Sequence, residues 1–256
     1  MLEQNPGYVK SERHGQALYI EFFHPQSNSL PKALLNELAL QIHAGGLDDE
    51  ILVIVLRSAG ERAFCSGASF AELSQIKTSL EGEDFFNGFA HLINSMRKCP
   101  KFIIARVQGK CVGGGVGIVA ASDYALAITG ADIKLSELEI GIGPFVVGPV
   151  VERKIGLSAF SQLAIDATSW RTAEWAKTRG LYSEVHNNLQ DLDEALQRIV
   201  NRLSHASLPA TKEIKKMFWQ GTAHWEQLLP ERAKISGGLV VTPRAQKEIR
   251  EFMQKK

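Results

Sequence analysis

FIIARVQGKCVGGGVGIVAASD, Phe102 to Asp123, is the stretch that decides the fold. An apolar, β-branched run ends at Val107 and a polar turn follows. Glycines then crowd positions 113, 114, 115 and 117, just before the apolar segment Ile118-Val119-Ala120-Ala121. The pattern predicts a strand, a loop and a buried helix. Glycine permits positive φ and close backbone approach, so Gly113-Gly114-Gly115 can aim main-chain N–H groups where a side chain would obstruct. At a helix N-terminus such amides are unpaired donors backed by the helix dipole, which suits an anion or a developing oxyanion. Tight packing of a small-residue helix is the alternative explanation for the same glycines.

Gly115-Val116-Gly117-Ile118-Val119-Ala120 also fits the dinucleotide fingerprint, with an acid, Glu137, about twenty residues further on. In that fingerprint the first glycine closes the first strand. Here seven residues separate Val107 from Gly115, and the match falls far into the chain.

The 256 residues suffice for one large domain or a core with an appendage, and 45% apolar content is ordinary for a globular protein. A net charge of +1, without long Lys/Arg blocks, leaves no electrostatic footprint for nucleic acid or an anionic membrane. Cys65, Cys99 and Cys111 lack metal-ligand spacing, so no metal site is expected and free thiols of a reducing compartment are. No run approaches a membrane span, and Met1-Leu2-Glu3-Gln4 lacks the flanks of a leader. The expectation is a soluble, cytoplasmic protein.

Outward from the central stretch, Ala17 to Phe23 is strand-like, and Arg13-His14-Gly15 can turn it back on Val9 as a hairpin. Pro31 opens a helix marked by Leu34, Leu38 and Ile42, and Gly45-Gly46 is expected to end it. Ile51 to Leu56 is a continuous apolar run of the kind buried on both faces of a sheet. Strand, helix, strand implies a parallel crossover. After Phe64-Cys65-Ser66-Gly67-Ala68, Ser69 and Glu72 have capping-box spacing, so a helix is expected from Phe70. Phe85, Phe89, Leu92 and Met96 mark another, closed by Pro100, with His91 one residue off the stripe. Tyr124–Ile128 and Ile133–Leu135 read as short strands. In Ser136-Glu137-Leu138-Glu139-Ile140-Gly141 the apolar neighbourhood of Glu137 would raise its pKa towards neutrality, while Glu139, on an extended backbone, would face the other way. Helix signals follow at Leu157–Ala164, Thr172–Thr178, Leu192–Leu203, Leu208–Trp219 and Arg244–Met253. No element is assigned between Trp219 and Thr242.

Phe64-Cys65-Ser66-Gly67-Ala68-Ser69, Gln108 to Gly115 and Ser136 to Gly141, in this order and spacing, resemble the three signatures of the enoyl-CoA hydratase/isomerase (crotonase) superfamily. The resemblance spans roughly Ala17 to Gly180. It implies an α/β fold with a repeated ββα core over residues 1–203, and a helical C-terminal region, 204–256, that packs subunits into a homotrimer or a dimer of trimers. It also implies that the N–H groups of Ala68 and Gly114 form an oxyanion hole for an acyl-CoA thioester, with Glu137 as proton carrier. Ser66, Gly67, Ser69, Gly113, Gly117 and Pro144 would contact the substrate. CoA would be part of that substrate, and no separate cofactor is expected.

The chain departs from the family pattern at four places. Gly117 stands where the family's hydratases carry the first of two glutamates, and Ser69 replaces an acid. The proline after the third signature is shifted to Pro144, ahead of Phe145-Val146-Val147-Gly148, and the Glu-Gly signature near the end of many members is absent. Adding water across a 2,3 double bond uses two carboxylates in the family; moving the bond from position 3 to 2 needs one base that takes a proton and returns it elsewhere. The residues therefore favour isomerisation. The alternatives are hydration with Glu72, Asp123 or His91 holding the water, and acyl-CoA binding without turnover.

Overall fold

The computed structural model describes residues 7–254. The chain opens with the antiparallel hairpin β1 (Tyr8–His14) and β2 (Ala17–Phe23), turning at Gly15 with φ +60°. Helix α1 (Lys32–Leu47) and strand β3 (Val53–Ser58) complete the crossover, and β3 pairs parallel with β2. From there a pattern repeats: a strand of a large sheet, a short strand of a second sheet, then helix. It runs β3, β4 (Ala63–Cys65), α2 (Phe70–Leu73) and α3 (Ser79–Lys98); then β5 (Phe102–Val107), β6 (Lys110–Val112) and α4 (Gly114–Ala121). The third round is β7 (Tyr124–Ile128), β8 (Ile133–Lys134) and α5 (Gly148–Ile165). Helix α6 (Ala173–Thr178), strand β9 (Glu184–His186), and helices α7 (Leu189–Leu203), α8 (Leu208–Phe218), α9 (Trp225–Val240) and α10 (Pro243–Gln254) follow.

The large sheet runs β1-β2-β3-β5-β7-β9 and is parallel after its opening hairpin. Side chains alternate across it. Ile54 and Leu56 face one apolar cluster with α1 and α3, while Val53 and Val55 face another with Leu192, Leu196 and Val200 of α7. That two-sided burial is why β3 is apolar at consecutive positions. Each such side chain contributes about 1.5–3 kcal/mol on leaving water.

The second sheet, β4-β6-β8, is parallel, so its strands end on the same side. The segments that follow them, beginning at Ser66, Gly113 and Leu135, emerge side by side although they lie far apart in sequence. The topology brings the three signatures together, at the strand ends where open parallel sheets present ligand sites.

Several boundaries differ from the sequence expectation. Helix α1 runs through Gly45 and Gly46: a Cβ at Gly45 would stand 2.5 Å from Leu18 Cδ2, and one at Gly46 3.3 Å from Cys99 Sγ. These glycines let the helix lie close to its neighbours. The polar turn after Val107 contains β6, whose pairing with β4 no local pattern reveals. Ser136–Gly141 is a succession of turns, with Glu139 ion-paired to Lys134 at 3.2 Å. Helix α9 fills the interval between Trp219 and Thr242. It crosses α3 where a Cβ at Gly82 would meet Gly237 Cα at 2.8 Å and one at Gly237 would meet Glu83 N at 2.3 Å, so only glycine permits that approach.

Candidate active site

The segment after β4 is pinned by Leu30. Its N–H donates to Gly67 O (2.8 Å) and its carbonyl accepts from Ser69 N (3.2 Å). The Ala68 N–H, between these two bonds, has no partner among the described residues. Gly67 holds φ +85°, and a Cβ there would lie 2.9 Å from Val112 O and 3.4 Å from Gly114 N, so this loop touches the start of α4. On the α4 side, Gly113 N donates to Lys134 O (2.9 Å), and Gly113 O accepts from Val116 N and Gly117 N. The Gly114 N–H, first in the helix, is likewise unpaired among the described residues. Two adjacent loops thus offer two free amides, one with a helix dipole behind it.

Glu137 lies beside them. A Cβ at Gly113 would stand 2.9 Å from Glu137 Oε1, so this glycine is required both by its φ of +53° and by the carboxylate. Glu137 Oε2 is sealed from solvent and has no hydrogen-bond partner among the described residues. Desolvation pushes the carboxyl up to about 7, partly opposed by a hydrogen bond from its own backbone N–H. A carboxylate poised there exchanges protons at neutral pH.

These groups open on a cavity of about 50 Å³. Among the described residues that line it, Glu137 is the only titratable one; the walls are largely apolar, with Phe86, Phe89, Ile142, Phe145 and Val147 prominent. A further cleft of about 150 Å³ shares Ser66, Ala68, Val112 and Ser136 with it and extends to Gln26, Lys134 and Trp170. Lys110 Nζ and Lys134 Nζ stand 4.4 and 5.5 Å from the Trp170 ring centroid.

Ser66, Gly67, Ala68, Gly113, Gly114, Glu137 and Pro144 all line the cavity. Ser69 and Gly117 do not. Ser69 caps α2, accepting from Glu72 N at 3.4 Å; the box is not reciprocal, because Glu72 Oε2 accepts instead from Lys32 N at 2.9 Å. At Gly117 a Cβ would meet Val147 Cγ1 at 2.5 Å, so the chain after Pro144 fills that space. The acids and histidine considered for holding water are also elsewhere. Asp123 is buried against Lys215 Nζ (2.5 Å) and accepts from Ile103 N (2.8 Å), His91 is exposed, and Glu72 is spent on Lys32. The sequence reading missed Ser236, which reaches the cavity from α9; Phe145 and Val147, in the segment that departs from the family pattern, form part of the wall. The Trp225, Leu229, Ala233, Ser236 and Val240 periodicity of α9 was available as a signal.

One buried carboxylate and two free amides thus meet on a framework of repeated parallel ββα units. The chain belongs to the enoyl-CoA hydratase/isomerase family, whose model matches residues 12–255. It is 31% identical over 183 residues to the human mitochondrial methylglutaconyl-CoA hydratase, a match covering 71% of this chain and 53% of that protein. The chain thus spans about half the length of such curated relatives. It is 27% identical over 212 residues to the short-chain-enoyl-CoA hydratase of Clostridium acetobutylicum, covering 82% and 80% of the two chains. It is 29% identical to a peroxisomal Delta(3,5)-Delta(2,4)-dienoyl-CoA isomerase of Arabidopsis thaliana, covering 78% and 71%. Among solved structures, an enoyl-CoA hydratase from Bacillus halodurans superposes with a TM-score of 0.87 at 25% identity, covering 95% of this chain and 99% of that one. Among the described residues, no group of three potential metal ligands occurs, and no helix is long and apolar enough to cross a membrane.

Proposed function

We propose that the protein isomerises the double bond of a short-chain enoyl-CoA from position 3 to position 2. The observation that carries this reading is Glu137, among the described residues the single titratable group lining the cavity, raised to about 7 beside two amides without a partner among them. Ala68 and Gly114 N–H groups hold the thioester oxygen, and Glu137 takes a proton from C2. The resulting dienolate spreads its charge onto that oxygen, where each donor contributes about 3 kcal/mol. Glu137 then returns the proton at C4, the bond moves into conjugation, and the base is regenerated. The small apolar cavity suits a short acyl chain, and the cleft leading to Lys134 and Trp170 suits the CoA arm. Assembly as a homotrimer or dimer of trimers through the C-terminal helices belongs to the same proposal, as does a cytoplasmic location in keeping with three free thiols. Incubation with short 3-enoyl-CoA, followed by product analysis, tests the reaction. Formation of 2-enoyl-CoA supports it, and recovery of unchanged ester refutes it.

The second reading is hydration of 2-enoyl-CoA, favoured by the hydratases among the relatives. It needs a second proton-handling group, and the cavity's polar side chains besides Glu137 are Ser66, Ser136 and Ser236. None of these is a carboxylate.

A further inference from the structure

We propose that Val147 determines the outcome of the reaction by occupying the wall where a second acid and its water would sit. The inference rests on the isomerase reading above and extends it to a specificity residue. Gly114 and Gly117 are one helical turn apart on α4, so they share a face. Over Gly114 that face is closed by the Phe89 ring, 2.2 Å from where a Cβ would stand. Over Gly117 it is closed by Val147, with Cγ1 at 2.5 Å and Cβ at 2.8 Å from the same ideal position. Val147 is 5% exposed and also lines the cavity. It is therefore the side chain through which residue 117 and the acyl site are connected.

A bound water needs two to four polar partners, and Val147 with its neighbours Phe145 and Val146 offers only aliphatic and aromatic side chains at this wall. A carboxylate cannot enter from α4 either, because every side chain at 117 must first displace Val147. The enolate formed by Glu137 then meets only the returning proton. The positions are interlocked: glycine at 117 is required by valine at 147, and shrinking one without enlarging the other leaves a void.

The test is a double-mutant cycle on the full chain with two independent readouts. In urea unfolding, Val147→Ala should lower the midpoint of the wild type through the cavity it leaves, yet raise the midpoint of Gly117→Ala, because it removes the clashing methyl groups. In turnover of short 2-enoyl-CoA, Gly117→Glu/Val147→Ala should form 3-hydroxyacyl-CoA at least tenfold faster than the wild type and than Gly117→Glu alone. Equal midpoint shifts for Val147→Ala in both backgrounds would overturn the interlock. A folded double variant that hydrates no faster than the wild type would overturn the specificity role. Failure of the isomerase reading itself looks different: the wild type would leave 3-enoyl-CoA unchanged while the midpoints still reversed sign.

Discussion

Replacing Glu137 by Gln is expected to remove activity and, at alkaline pH, to stabilise the protein. Burial raises the carboxyl from 4.5 to about 7, so between those values the folded protein holds a proton that the unfolded chain has released. Stability from this group is fully present below 4.5 and is lost as pH rises through 7, since ionised Glu137 must then stay desolvated. Raising the carboxyl from 4.5 to about 7 corresponds to roughly 3 kcal/mol of destabilisation at pH 8. Gln has the size of the protonated acid and no charge to desolvate. Glu137→Gln should therefore match the wild type near pH 4 and exceed it by roughly 3 kcal/mol at pH 8, about 6–10 °C in Tm. Urea or thermal melts of both proteins across that range measure the difference, and kcat for 3-enoyl-CoA should fall at least a thousandfold in parallel. A stability difference that stays constant from pH 4 to pH 8 would refute the buried-carboxylate argument.

The same titration predicts that kcat/KM for isomerisation rises about tenfold per unit below pH 7 and flattens above it; a flat profile from pH 5 to pH 8 would exclude Glu137 as the base. Gly114→Ala should lose about a hundredfold or more in kcat, because its methyl would meet Phe89 Cε1 at 2.2 Å and displace the amide, with circular dichroism reporting whether the fold survives. Lys215→Ala should lower stability by about 3–5 kcal/mol, since it leaves Asp123 buried without its cation; a change below about 1 kcal/mol in urea unfolding would show that water reaches the pair.

Most of the fold was legible because its elements carry their own periodicity. The two-sided strand β3, the stripe of Phe85, Phe89, Leu92 and Met96 on α3, and the strand-to-helix transition around Gly113 each follow from local burial. The hidden elements depend on distant partners. Strands β4 and β6 are three residues long, too short for any alternation, and exist because they lie beside each other, whereas β8 was legible in the run Ile133–Leu135. Helix α9 contains Pro230 and the pair Gly237-Gly238, ordinarily helix breakers, and it buries small residues because it must approach α3 through Gly82. The site divides in the same way. The glycines and Glu137 stand out in sequence, whereas Val147 over Gly117 and Ser236 from α9 become visible only when the chain is folded. Ser69, by contrast, has the position of a substrate contact and serves as a helix cap.

The central claim is that one carboxylate and two amides move a double bond without adding water. Incubating the wild type with short-chain 3-enoyl-CoA and, separately, with the matching 2-enoyl-CoA in deuterated water tests it most directly. Mass analysis should show 2-enoyl-CoA from the first ester and slow deuterium exchange at C4, with no hydrated product, from the second, all of it lost in Glu137→Gln. Rapid 3-hydroxyacyl-CoA formation from the 2-enoyl ester that survives Glu137→Gln would contradict the account.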